Sequence, residues 1–258
     1  MIPGRVYIVG AGPGPADLLT VKAARLLGLA DVVIHDRLIQ EEVLALARPG
    51  AELIYMGKTV GSHASRQQEI HELLESRSRE GRQVVRLKGG DPFLLGRGGE
   101  EAEFLAREGI PFEVVPGVSS ALAAPLRAGI AVTHRDLASS VTIVTGHEAA
   151  GDSRPTDWEA LARVETLVYL MGVHNLRNIC ERLIAHGRAP ATPAAVIQKA
   201  YWQDELVVEG TLADIAGRAE SEGITPPATL VIGEVVRLRE KMRPGRRQGS
   251  KVCEAQDQ

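Results

Sequence analysis

The chain has 258 residues, 44 % hydrophobic and 24 % charged, which is the balance of a folded protein and not of a disordered one. Thirty Lys and Arg face 33 Asp and Glu, and aromatics make up only 3 %, so neither electrostatic wrapping of nucleic acid nor base stacking fits the composition. No apolar run approaches a membrane span, no charged-then-apolar leader precedes the first strand, and Cys180 and Cys253 form neither a close pair nor a metal pattern. These features predict a cytoplasmic protein that contacts no membrane, holds no metal and lives in a reducing compartment.

Residues 5–9 form a first apolar strand that stops at Gly10, after which Leu18, Leu19, Ala23, Leu26 and Leu27 recur at helical spacing over 16–29. A second, β-branched strand covers 31–35, a helical stretch 41–47 and a third strand 52–56. A helix over 67–79 ends at Gly81, and strands at 83–87 and 112–115 flank a Glu-rich helix near 100–108. Strands alternating with helices predict βαβ crossovers and a mostly parallel five-stranded sheet.

After Gly129 the rhythm changes. Strands are predicted at 140–144, 166–170, 194–198, 205–208 and 229–236, with helices at 175–185 and 212–220. Strands 194–198 and 205–208 leave no room for a crossover helix, so the second sheet must be mixed. The predicted fold class is therefore α/β with two α/β domains: a parallel one over 1–125 and a mixed one over 126–240. A polar tail over 241–258, carrying Pro244 and Gly245, is expected to be disordered.

In a parallel sheet, ligands bind beyond the carboxyl ends of the strands. Here the five strands lead into Gly10-Ala11-Gly12-Pro13-Gly14, Asp36-Arg37, Gly57-Lys58, Lys88-Gly89-Gly90-Asp91-Pro92 and Pro116-Gly117-Val118-Ser119-Ser120. Every one carries glycine or charge. The first segment resembles a dinucleotide fingerprint, yet Pro15 stands where a third glycine is wanted, and Pro13 and Pro15 remove two N–H donors from a loop that would wrap a pyrophosphate. Asp36 could still hold a ribose hydroxyl, which keeps an NAD-binding alternative open. The fourth segment is the densest. Its glycines admit a ligand close to the backbone, Asp91 can accept from an amine or hydroxyl, and Arg97 can fork onto a carboxylate. Glu100 and Glu101 read as acidic residues favouring a helix start.

Taken with Thr133-His134-Arg135-Asp136, Thr145-Gly146-His147, Tyr169-Leu170-Met171-Gly172 and Ile232-Gly233-Glu234-Val235-Val236, these segments resemble the tetrapyrrole methylase family over nearly the whole chain. The long run from Arg86 to Glu101 and the Thr-His-Arg-Asp run point to its uroporphyrinogen-III C-methyltransferase branch. The resemblance implies two α/β domains with S-adenosyl-L-methionine (SAM) in the cleft between them, in a homodimer. It also implies transfer of two methyl groups to uroporphyrinogen III, at C2 and C7. The products would be S-adenosyl-L-homocysteine and precorrin-2, for sirohaem or cobalamin synthesis.

By position the resemblance places SAM contacts on Pro13, Gly89, Gly90, Asp91, Leu94, Ser119, Ser120, Met171, Ala200 and Ala228, a proton acceptor on Asp36 and a proton donor on Lys58. Arg37, Arg97 and Arg135 are the candidates for gripping the substrate's carboxylates, because forked donors suit them. Three positions depart from the family. Pro15 replaces a common Asp and is expected to alter the substrate mouth; Ser119 replaces Thr but keeps a hydroxyl; Ala200 replaces a common glycine but stays small. A non-catalytic SAM sensor would need the Gly-Gly-Asp turn but neither Asp36 nor Lys58, and is the alternative from another functional class.

Overall fold

The structure, a computed structural model, describes residues 4–57, 63–146 and 156–242, which form two five-stranded sheets. The first contains β1 (Val6–Gly10), β2 (Val32–His35), β3 (Glu52–Tyr55), β4 (Val84–Lys88) and β5 (Phe112–Val115). All its pairings are parallel, in the order β3-β2-β4-β1-β5, so every carboxyl end emerges at one edge. Helices α1 (Val21–Leu27), α2 (Glu41–Leu44), α3 (His63–Arg79) and α4 (Gly98–Arg107) connect the strands.

Both faces of this sheet are covered, which explains its near-continuous apolar strands. On one face Val9, Val33, Val85 and Leu87 pack against Leu26, Leu27 and Val43. On the other, Ile8, Ile34 and Val84 meet Ile70 and Leu74 of α3 and Phe104 and Leu105 of α4. Side chains alternate along a strand, so Arg86 and Lys88 share the face of Val84 and point beneath α3 and α4. Two cations thus enter a buried layer at the strand's carboxyl end.

The second sheet is mixed, as expected. Its strands are β6 (Val141–Thr145), β7 (Thr166–Leu170), β8 (Pro193–Gln198), β9 (Leu206–Thr211) and β10 (Ala228–Ile232), ordered β6-β7-β10-β8-β9. Only β6 and β7 pair in parallel. One face packs on α7 (Leu176–Ala185) and α8 (Ile215–Ser221), while α5 (Ser120–Arg127) lies on the other through Ala121 and Ala124. Two further short helices, α6 (Trp158–Arg163) and α9 (Leu238–Met242), complete the α-helices among the described residues.

Several expectations are corrected. The helix over 16–29 divides into a 3-10 turn at Ala16–Leu18 and α1, because Thr20 is extended and its side chain caps the helix by accepting from Ala23 N. The strand over 229–236 ends at Ile232. Gly233, at φ 147°, turns the chain into a 3-10 turn, Glu234–Arg237, whose Val235 and Val236 remain buried and so prolong the apolar signal without prolonging the strand. Helix α5 is an element beyond those expected, with Pro125 lying inside it. Of the tail, 241 and 242 belong to α9, and 243–258 lie outside the described residues.

Candidate active site

The loops after β1, β4 and β5 are knitted together by backbone. Ala11 N donates to Lys88 O at 2.7 Å, and Gly12 and Gly90 exchange both their hydrogen bonds, at 3.2 and 2.8 Å. A Cβ added to Gly10 would lie 2.5 Å from Gly117 N, and one on Gly117 only 2.3 Å from Gly90 O. Those two glycines therefore serve close backbone packing. Gly89 and Gly90 differ: an added Cβ would meet nothing nearer than 3.5 Å and 3.8 Å respectively. They leave an open strip of backbone that a ligand can approach.

Beneath this strip runs a chain of buried charge. Arg86, 2 % exposed, reaches Asp36 Oδ1 with Nη2 at 2.7 Å and Glu101 Oε1 with Nε at 3.1 Å. Lys88 Nζ donates to the same Glu101 oxygen at 3.0 Å, and Gln67 Nε2 does so at 3.3 Å. Glu101 is 0 % exposed, whereas the Asp36 side chain, at 33 %, keeps a face to solvent. Burial lowers the Lys88 ammonium from the ordinary lysine range, Arg86 lowers it further, and Glu101 and Asp36 oppose the shift. Beside Asp36, the His35 imidazole is also pulled down, chiefly by burial. The outcome is one partly open carboxylate backed by a guanidinium whose other side is anchored on a fully buried glutamate.

Most of the expected cofactor positions converge. Ser119 and Ser120 flank Gly90, whose added Cβ would lie 3.8 Å from Ser119 Cα. The Ser119 hydroxyl caps α5 by accepting from Ala121 N. Asp91 has structural partners of its own, accepting from Phe93 N at 2.9 Å and Gly117 N at 3.2 Å, and so binds the fourth loop to the fifth. In the second sheet, Thr229 pairs with both Leu170 and Ile197, which brings Met171, Ala200 and Ala228 to one edge. Met171 is 53 % exposed at φ 58°. The two edges face each other. Leu94, in the loop between β4 and α4, packs on the cluster that contains Ala200, and Trp202 Nε1 donates to Pro13 O at 3.3 Å.

The candidate substrate arginines do not cluster in this way. Arg97, in a left-handed conformation at the start of α4, forks onto Glu100 at 2.9 and 2.6 Å. Arg37 is exposed beyond β2, and Arg135 is exposed on the tight His134–Ala138 turn. Lys58 and His147 lie outside the described residues. Arg86, Lys88 and Glu101 are the residues that motif reading missed as functional groups. The available signal was two cations at alternate positions of an otherwise apolar strand, followed thirteen residues after Lys88 by an acid on the helix above.

A family model described as Tetrapyrrole (Corrin/Porphyrin) Methylases matches residues 5–216. The chain is 50 % identical over 237 residues to an S-adenosyl-L-methionine-dependent uroporphyrinogen III methyltransferase of Methanosarcina barkeri, covering 91 % of this chain and 93 % of that protein. It is 51 % identical over 240 residues to a siroheme synthase of Azotobacter vinelandii, covering 93 % of this chain and 52 % of that one, so the chain spans about half the length of several relatives it matches. A crystal structure of a uroporphyrin-III C-methyltransferase from Thermus thermophilus, complexed with S-adenosyl homocysteine, superposes with a TM-score of 0.78 at 47 % identity, covering 91 % of this chain and all of that one.

Proposed function

The chain belongs to the tetrapyrrole methylase family, and on that premise we propose that it transfers two methyl groups from SAM to C2 and C7 of uroporphyrinogen III, giving precorrin-2. One observation carries the reading to this chain: the open Gly89–Gly90 backbone lies in the loops that follow β1, β4 and β5, at the sheet edge where Asp36 keeps a partly open carboxylate. Homodimerisation, a cytoplasmic setting and a product destined for sirohaem or cobalamin belong to the same reading. Among the described residues no helix is long and apolar enough to cross a membrane.

The residues present fit the methyl donor. Gly89, Gly90 and the Ser119–Ser120 turn would take it from the first sheet, and Met171, Ala200 and Ala228 from the second. When bound, SAM supplies an already activated methyl group on a sulfonium leaving group. What remains for the protein is alignment and proton management. Asp36 accepts the proton that a ring position must lose, and Arg86 fixes that carboxylate at 2.7 Å from the side away from solvent. Lys58 is assigned as the donor. Arg37, Arg97 and Arg135 are assigned to the macrocycle's carboxylates, with Arg97 exchanging its fork on Glu100 for a substrate carboxylate.

Incubation with uroporphyrinogen III and methyl-labelled SAM is expected to place two labels on each macrocycle. Tight SAM binding with no label transferred would overturn catalysis and favour a sensor. Arg97→Ala is expected to raise KM for the tetrapyrrole about tenfold, the loss of one charge-assisted contact, and to leave KM for SAM unchanged. Steady-state kinetics with each substrate varied in turn checks this, and equal effects on both constants would remove Arg97 from the substrate side.

A further inference from the structure

We propose that Trp202 is a positioning residue, a latch from the second sheet that holds the Pro13–Gly14 loop in the shape that receives the methyl donor. The inference rests on the SAM assignment above and adds to it a contact from outside the motifs. The chain has only two tryptophans. Trp158 is a buried core residue of the second half, with the Arg182 guanidinium over its ring. Trp202 instead sits half-buried in the irregular loop between β8 and β9 and reaches the opposite sheet edge.

The receiving loop needs an outside hold. Pro13 and Pro15 have no N–H, so the Pro-Gly-Pro segment can tie itself down with only one backbone donor, that of Gly14. The indole Nε1 of Trp202 donates to Pro13 O at 3.3 Å across 189 residues of sequence. It also closes over Gly14: an added Cβ there would lie 3.1 Å from Nε1, 3.2 Å from Cδ1 and 2.7 Å from Gln40 Nε2. Gln40 Nε2 is buried and has no hydrogen-bond partner among the described residues, so the spot where indole, glycine and amide meet is a donor-rich corner of the cleft.

The latch is itself anchored. Lys199 and Tyr201 both take left-handed backbone, at φ 46° and 69°, which costs energy for residues with a Cβ and must be held by surroundings. Glu205 Oε2 accepts from Tyr201 N at 2.8 Å and from Arg127 Nε at 2.9 Å, while the Arg127 guanidinium covers the Tyr201 ring at 5.4 Å. Arg127 ends α5, the helix that begins at Ser120 beside Gly90. One connected set of contacts therefore links Trp202, Pro13, Ala200 and the Ser119–Ser120 turn, all on the donor side of the cleft.

The test compares wild type with Trp202→Phe, which keeps a ring but loses the N–H, and Trp202→Ala, which removes both. Calorimetric titration with S-adenosyl-L-homocysteine should show affinity about tenfold weaker in Trp202→Phe, as for one lost hydrogen bond and its ordering effect, and weaker again in Trp202→Ala. KM for SAM should rise in step while KM for uroporphyrinogen III stays. In a Trp158→Phe background the remaining emission should change on S-adenosyl-L-homocysteine binding. Unchanged affinity in both variants, with or without a lower melting temperature, overturns the latch, as does emission indifferent to the ligand. A wild-type chain that binds no S-adenosyl-L-homocysteine overturns the SAM assignment, and the latch falls with it.

Discussion

Asp36→Asn is expected to lower methyl transfer by about 10²–10⁴-fold, the usual consequence of removing a positioned proton acceptor, while S-adenosyl-L-homocysteine binds as before. The substitution is nearly isosteric. An amide oxygen can still accept from Arg86 Nη2, now 2.7 Å from Asp36 Oδ1, so the loop after β2 retains its outline. What disappears is the negative charge and the capacity to take a proton. Arg86 keeps its second carboxylate, Glu101, and so is not left wholly unpaired. Single-turnover transfer of labelled methyl, measured beside calorimetric binding, separates the two effects. Loss of ligand binding in the variant would make Asp36 a residue of the donor site or of folding.

The same cluster shows what the sequence made legible and what it hid. Apolar runs broken at Gly10, at Asp36 and at Lys88 marked the strand ends, because a parallel sheet covered on both faces favours near-continuous apolar strands and returns to polar residues mainly at its edges. Gly89–Gly90 was readable as a ligand approach. The roles of Gly10 and Gly117 were not, since their requirement comes from loops that only the fold brings together. Glu100 and Glu101 looked alike as helix-start acids, yet α4 turns one to solvent with Arg97 and the other into the core with Arg86 and Lys88. A helical rotation of about 100° per residue decides that difference, and it depends on where the helix starts. Trp202 carried no motif at all; only the approach of the two sheet edges gives it a partner. Local periodicity thus revealed the elements, while the pairings between distant loops required the fold.

Glu101→Gln is expected to destabilise the protein by about 3–5 kcal/mol, the range for breaking a buried ion pair from one side. A single Glu101 oxygen receives Arg86 Nε, Lys88 Nζ and Gln67 Nε2, so one neutralisation takes the carboxylate from Lys88 and leaves Arg86 with Asp36 alone, both cations being ones that burial has already stripped of water. Glu100→Gln, on the exposed neighbour, should cost about 0–1 kcal/mol. Urea denaturation of both variants checks the contrast, with the slope unchanged if only stability has moved. The pH dependence tests the cause. Burial holds the Lys88 ammonium low, and Glu101 opposes that shift, so removing the carboxylate lowers it further. A lysine with a folded-state pKa below its unfolded value binds fewer protons when folded, and its penalty fades as pH rises. The variant has more of this penalty to lose than wild type. Its deficit should therefore narrow as pH rises through the folded-state range of Lys88, which burial places below that of free lysine, and the narrowing should be complete by about pH 10. A gap constant across that range would place the loss in packing and leave the charge of Lys88 without a part in it.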